Sequence, residues 1–167
     1  MWIRLIPIAA FVLACGCSQD ADTTAAEPAA STPAAATTAP AAAPAAAAIE
    51  RKPAPAGAVA YIISPANGAT VTSPVRVVFG LTGAGVIPAG IPREGAGHHH
   101  LLVDAELPDL GLPIPNDANH RHFGGGQTEA EIELAAGTHT LQLLLGDELH
   151  VPHDPAIMSE QITIEVR

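Results

Sequence analysis

The chain has 167 residues, with 17 acidic and 7 basic side chains and a formal net charge of −10 when histidines are neutral. An acidic surface of this kind repels nucleic acid and anionic lipid and attracts cations, so no nucleic-acid partner is expected. Both cysteines, Cys15 and Cys17, lie near the N-terminus. The rest of the chain must therefore fold without a disulfide or a thiolate ligand.

The first residues are typical of a short export signal. Arg4 supplies the positive charge, and residues 5–14 form an apolar segment that is too short to span a membrane. The segment ends in Val-Leu-Ala-Cys-Gly-Cys, which resembles the bacterial lipobox, where the cysteine becomes the lipidated N-terminus. Both Cys15 and Cys17 fit that position, and an ordinary cleaved signal is the alternative. Residues 1–17 thus predict a lipoprotein anchored in the bacterial cell envelope, facing the periplasm or the exterior.

Residues 18–56 form a low-complexity stretch dominated by alanine, proline and threonine. Proline blocks helix propagation and favours extended, polyproline-like conformations. We therefore predict a disordered linker that tethers a folded domain to the membrane.

The remaining residues, 57–167, are enough for one domain with a core. Alternating apolar residues predict short β-strands separated by turns, and no segment has a sustained helical period. The strongest strand predictions cover residues 58–64, 75–81, 98–105, 130–134, 138–145 and 161–167. Residues 83–97 and 106–126 are expected to be loops. The pattern predicts an all-β, immunoglobulin-like sandwich of about seven strands.

Several motifs carry a family resemblance. They include Ser-Pro-Ala-Asn-Gly-Ala-Thr-Val at 64–71, Gly-His-His-His-Leu-Leu-Val-Asp at 97–104, His-Phe-Gly-Gly-Gly-Gln-Thr-Glu at 122–129 and His-Val-Pro-His-Asp-Pro at 150–155. The domain is similar, over residues 57–167, to a bacterial family known as domain of unknown function 4399. The resemblance implies one compact exported domain, and it carries no activity.

The eight histidines of the chain all follow residue 97, and three of them are consecutive at 98–100. Alternate side chains of a strand share a face, so His98 and His100 are expected to point to one side and His99 to the other. Imidazole binds copper, zinc and nickel, and copper binds most tightly of the three. The candidate metal ligands are His98, His100, His120, His122, His150 and His153. We expect His98 and His100 to share one ion that His150 or His153 completes.

Other chemistry is less well supported. A blue-copper centre needs a cysteine ligand, which the domain lacks. The glycines at 124–126 are not followed by the lysine and helix of a phosphate-binding loop, and no nucleophile elbow is present. We therefore expect no enzyme. His99 and His139 are expected to pack in the core, and Asp104, Asp147 and Asp154 are candidates to orient ligand rings.

Two functional hypotheses remain. In the first, the domain binds a divalent transition metal, copper or zinc, for buffering, delivery or sensing. In the second, the histidines are structural and the domain is a protein- or glycan-binding module of the envelope. Convergence of His98 and His100 with the histidines of 150–153 would favour the first. Either hypothesis allows an envelope protein as a partner.

Overall fold

The computed structural model describes residues 49–167. The predicted signal peptide, Cys15, Cys17 and the linker up to residue 48 lie outside the described residues. They stay predictions, as does the domain boundary at residue 57.

Residues 49–167 form nine β-strands and no helix, and they therefore contain no helix able to cross a membrane. The strands are β1 Val59–Ser64, β2 Thr70–Val71, β3 Val75–Thr82, β4 Gly85–Val86, β5 Ala96–Val103, β6 His120–His122, β7 Glu129–Ile132, β8 Gly137–Gly146 and β9 Ile162–Val166. One sheet has the order β1-β3-β7. The other has the order β2-β9-β8-β5-β4, and β6 also pairs with β5.

The all-β, two-sheet prediction is confirmed. The orders β1-β3-β7 and β9-β8-β5 correspond to the two sheets of an immunoglobulin-like sandwich, whose strands A, B and E face C, F and G. The structure has nine strands where about seven were predicted: six correspond to the six segments predicted most strongly, and three short strands lie in the predicted loops and turns. These are β2 and β4, of two residues each, and β6, of three residues. Strands this short leave too few side chains for an alternating pattern to be seen in the sequence.

The central strand β5 is buried along its whole length. One face, which carries Leu101 and Val103, joins the main core between the sheets. The opposite face carries Leu102, which packs with Ile114 and Leu144 in a second, smaller cluster. Because loops cover this outer face, side chains on both sides of β5 are shielded from water. The fold therefore provides an interior position for every histidine of the 98–100 run.

Residues before the predicted domain boundary contact the sandwich. The amide of Ala54 donates to the carbonyl of Asp154 at 2.9 Å, and the amide of Asp154 donates to the carbonyl of Lys52 at 2.8 Å. Lys52 also forms an ion pair with the carboxylate of Glu148. The segment from residue 51 to residue 54 is thus fastened to the loop that follows β8.

Candidate metal centre

Two histidines of β5 form the floor of a cluster on the outer face of the larger sheet. His98 and His100 lie two residues apart on that strand, both fully buried, with ring centroids 4.8 Å apart. Their partners on β8 are Gly146 and Leu144. A Cβ atom at Gly146 would lie 2.9 Å from Cε1 of His100, so glycine at this position leaves room for the ring. The predicted shared face of His98 and His100 is confirmed.

The third histidine comes from β6, the short strand beside β5. His122 is the register partner of His100, and their ring centroids lie 5.1 Å apart. The next turn contains Gly124, where a Cβ atom would overlap with Cε1 and Nε2 of His122. The glycines at 124–126 thus have a structural explanation, because the first of them makes space for the His122 ring.

The fourth histidine, His150, lies in the loop after β8. The carboxylate of Asp147 organises this loop, since its Oδ1 accepts hydrogen bonds from the amides of Leu149 and Val151, each at 2.9 Å. The carbonyl of His150 accepts a hydrogen bond of 2.8 Å from the amide of Ile114. His150 itself has a φ of 69°, which is uncommon for a residue other than glycine. Side-chain and backbone bonds together hold the residue over His98 and His122.

These four side chains, His98, His100, His122 and His150, are called the four-histidine cluster below. The six centroid separations among the rings are 4.8, 4.8, 4.9, 4.9, 5.1 and 5.8 Å. Ligand nitrogens of His98, His100 and His122 all lie within 4.8 Å of one another. The Nε2 atoms of His122 and His150 are 3.2 Å apart, close to the roughly 3.4 Å between two nitrogens bound to one tetrahedral zinc.

The rings of His98 and His100 lack the hydrogen-bond partners that buried polar groups normally have. Both ring nitrogens of His98 and of His100 are buried without a hydrogen bond to any residue in the described part of the chain. Such unpartnered groups are rare in folded proteins, because each costs about 1–3 kcal/mol. A metal ion among the rings would satisfy one nitrogen of each. The donor set therefore fits a metal ion.

Burial keeps these rings neutral. Desolvation, followed by repulsion from His150 and His122, lowers the pKa of His98 to about 4. Desolvation, followed by repulsion from His98, His122 and His150, lowers the pKa of His100 further, to about 2. Desolvation also lowers the pKa of His122, with repulsion from His150 as the second cause. Neutral imidazole is the form that binds a metal, so near pH 7 these three rings are in the binding-competent state.

The other two candidate ligands lie outside the cluster. His120 directs Nδ1 toward the carboxylate of Asp117, at 2.9 Å. His153 is fully buried, with both ring nitrogens unpartnered among residues 49–167, and its charged neighbours include Asp147 and Lys52. The cluster is thus completed by His122 and His150, and His153 does not contribute. Spacing within a motif cannot distinguish His150 from His153, because the backbone turn around Asp147 decides which ring faces β5.

Two other predictions concerned packed histidines. His99 packs against the ring of Phe79 on the core side of β5, with centroids 5.3 Å apart, as expected. The prediction that His139 is a core residue is wrong. Its Nδ1 lies 2.6 Å from the carboxylate of Asp104, and its Nε2 lies 3.0 Å from the carbonyl of Ala135. A carboxylate partner at the strand end allows this ring to stay polar, and the hydrogen bond raises its pKa.

The expected carboxylate support is also different from the prediction. Asp104 pairs with His139, Asp147 holds the backbone of the His150 loop, and Asp154 pairs with Arg51 at 3.4 Å. The carboxylate–histidine pairs of residues 49–167 involve only His120 and His139. The four-histidine cluster is therefore an all-nitrogen donor set without a carboxylate. Asp147, a candidate from the sequence, supports the cluster through the backbone of the His150 loop and not through a ring. Gly124 and Gly146 also support it, and they were not predicted to do so.

Fold and site together define a class of protein, a β-sandwich with a partly buried histidine cluster that could hold a metal ion. A family model described as Domain of unknown function (DUF4399) matches residues 77–167, and the chain belongs to that family. The matched region begins within β3 and contains all four cluster histidines, and it leaves out β1 and β2. No curated protein and no solved structure matches the chain.

Proposed function

We propose that the protein binds a transition-metal ion, copper or zinc, in the four-histidine cluster, for buffering, delivery or sensing in the bacterial cell envelope. The observation that carries the proposal is the convergence of His98 and His100 with His122 and His150 from two other segments. The unpartnered, buried nitrogens of the floor rings support it. The acidic character of the chain would concentrate cations around the domain.

Metal titration tests the proposal directly. The protein is purified without a His tag and stripped with a chelator, and Cys15 and Cys17 are replaced by serine because thiolates bind these metals. We expect one equivalent of Zn(II) or copper to bind in calorimetry. Replacing His98 and His100 by alanine should remove binding, while replacing His120 by alanine should leave it. Equal binding by the His98/His100 variant and the parent would overturn the proposal and favour the interaction-module alternative.

A glycine substitution provides a second prediction that leaves every ligand in place. Alanine at Gly124 must displace the His122 ring, because the new Cβ would overlap with Cε1 and Nε2. The ring is the movable end of a side chain, so the free energy of unfolding of the metal-free protein should change by less than about 1 kcal/mol. Metal affinity should fall at least about tenfold, since mutation of a residue that orients a metal ligand typically lowers metal affinity 10–100-fold.

The matched control is alanine at Gly125. Its Cβ would approach only the side chain of Gln127, at 3.1 Å from Oε1, and the position is exposed. We expect wild-type affinity for this variant in the same calorimetric titration. If Gly124→Ala and Gly125→Ala bind metal equally well, His122 is not a ligand.

We further propose that the domain is held at a membrane by lipid on Cys15 or Cys17. The lipobox-like run before these residues supports the anchor, and the proline-rich linker would carry the domain away from the bilayer. Replacing both cysteines with serine should abolish labelling by a fatty-acid probe in bacterial cells and move the protein to the soluble fraction. Unchanged labelling in the double variant would contradict the anchor, and the single variants identify the modified residue.

A further inference from the structure

The arrangement of the four rings determines which geometry a bound ion would have. In a square, two of six separations are diagonals that exceed the edges by a factor of about 1.4, so edges of 4.8 Å would require diagonals of about 6.8 Å. The largest observed separation is 5.8 Å, between His100 and His150, and the other five lie between 4.8 and 5.1 Å. The centroids therefore form a slightly stretched tetrahedron.

The spacing of the rings also fits a single ion. Ligand nitrogens of His98, His100 and His122 converge within 4.8 Å of one another, and His150 is placed beside them by its ring distances and by the 3.2 Å between its Nε2 and that of His122. Four imidazoles that each place a nitrogen about 2.1 Å from a tetrahedral ion have ring centroids about 5.2 Å apart. Five of the six separations in the cluster agree with this value within about 0.4 Å. The stretched edge involves His150, the only ring of the four that is carried by a loop.

The sheet prevents the cluster from flattening. His98 and His100 lie on β5 between the paired strands β6 and β8, and His122 is the direct register partner of His100. Three of the four ring positions are thus fixed by backbone pairing. Cu(II) prefers square-planar or tetragonal sites, whereas a tetrahedral nitrogen site suits an ion without that preference.

The absence of a charged ligand, like the tetrahedral arrangement of the rings, disfavours Cu(II). The described residues place no carboxylate on any of the four rings, and His98 and His100 are fully buried. His122 and His150 are partly exposed, so an ion among the four rings would be shielded from water mainly on the side of His98 and His100. No ligand charge would compensate the charge of that ion, and the cost of burying charge rises steeply with its magnitude. A singly charged ion is therefore favoured over a doubly charged ion of the same element.

We propose that the four-histidine cluster discriminates between the oxidation states of copper and holds Cu(I) more tightly than Cu(II). This inference rests on the proposed metal-binding function and makes it more specific. A site of this kind would release copper more readily when the ion is oxidised. Zn(II), which accepts tetrahedral nitrogen ligands, would compete for the same site.

The test measures three affinities on the full-length, tag-free protein in the Cys15→Ser, Cys17→Ser background. Zn(II) and Cu(II) are titrated in air and Cu(I) under anaerobic conditions, each against a chromophoric chelator. We expect the dissociation constant for Cu(I) to be at least about 100-fold below that for Cu(II). That ratio places the reduction potential of the bound copper about 120 mV above that of the free Cu(II)/Cu(I) couple, at 59 mV per tenfold change for one electron.

A pair of variants at His150 separates the effect of a ligand's charge on the Cu(I) preference from the effect of losing the imidazole. Aspartate and asparagine both tolerate the left-handed backbone found there, and they differ by one negative charge. His150→Asp should lower the preference for Cu(I) at least about tenfold relative to His150→Asn, because the carboxylate compensates the second charge of Cu(II). An unchanged preference between the two variants would overturn the charge part of the inference.

The outcomes separate this inference from the function on which it rests. If Cu(II) binds as tightly as Cu(I), the oxidation-state preference is wrong and the metal-binding proposal stands. If Cu(I), Cu(II) and Zn(II) all fail to bind, the proposed function itself is wrong, and the inference falls with it.

Discussion

Replacing His98 and His100 together by leucine is expected to leave the metal-free protein at least as stable as the wild type and to remove all stabilisation by metal. The four nitrogens of these rings are buried without partners in the described part of the chain, and each such group costs about 1–3 kcal/mol. Leucine has a similar volume and no polar atom, and it would extend the nearby cluster formed by Leu102 and Leu144.

Unlike the leucine variant, the wild type should become more stable when metal is added. A ligand that binds only the folded state at 100 times its dissociation constant adds about 2.7 kcal/mol to the free energy of unfolding. Urea unfolding of both proteins, with a chelator and with Zn(II), gives the four values needed. His153→Leu is the matched control, because its ring is equally buried and lies outside the cluster. That variant should keep the full response to metal.

If the histidines were structural, the results would differ in sign. Removing rings that hold loops in place would lower the stability of the metal-free protein by several kcal/mol. In that case the wild type itself would not be stabilised by added metal. A large loss of stability in the metal-free leucine variant, without any effect of Zn(II) on the wild type, would therefore support the interaction-module alternative.

The strands could be predicted from the sequence where one face of a long strand is apolar. Alternation in β3, β8 and β9 is strong, because their inward side chains fill the core between the sheets. The strand β5 is buried on both faces, and it was predicted from its continuous apolar run after the histidines. The shared face of His98 and His100 follows from the same period of two. These local regularities depend only on strand geometry, and they need no knowledge of the neighbouring strands.

The full cluster could not be predicted, because tertiary placement decides it. His120 and His122 share a face of β6, and only the register with β5 puts His122 beside His100. His150 and His153 look equivalent in the sequence, and the turn around Asp147 selects His150. His139 follows the apolar alternation of β8, yet its ring forms a hydrogen bond with the carboxylate of Asp104 and does not pack in the core. The outcomes for His122 and His139 depend on residues distant in the sequence, and the outcome for His150 depends on a local turn whose conformation the motif spacing does not reveal.

Acid should unfold the metal-free domain between about pH 6 and pH 4. Burial lowers the pKa of His98 and of His99 to about 4, and that of His100 further, from an ordinary value of 6.5. Below pH 6.5 the unfolded chain takes up protons on these rings and the folded domain does not. The free energy of unfolding therefore falls as the pH falls, by up to about 1.4 kcal/mol per pH unit for each ring.

The size of this effect approaches the whole stability of a small domain. At pH 5 each of the three rings should have lost about 2 kcal/mol of stabilisation, or about 6 kcal/mol together, whereas domains of this size are stable by about 5–15 kcal/mol. Circular dichroism between pH 8 and pH 3, in the presence of a chelator, measures the midpoint. The His98→Leu, His100→Leu variant lacks two of these rings, so its stability should depend on pH less steeply, while His99, His122 and His153, whose pKa values are also lowered, still contribute.

Metal should move the transition to lower pH, because an ion bound to the neutral rings must be displaced before they can be protonated. The shift should occur in the wild type and in His153→Leu, and it should be absent from the variant with leucine at positions 98 and 100. Equal stability of the metal-free wild type at pH 7 and pH 5 would contradict the neutral, buried state of the rings. A metal-induced shift that survives in the leucine variant would place the bound ion elsewhere in the chain.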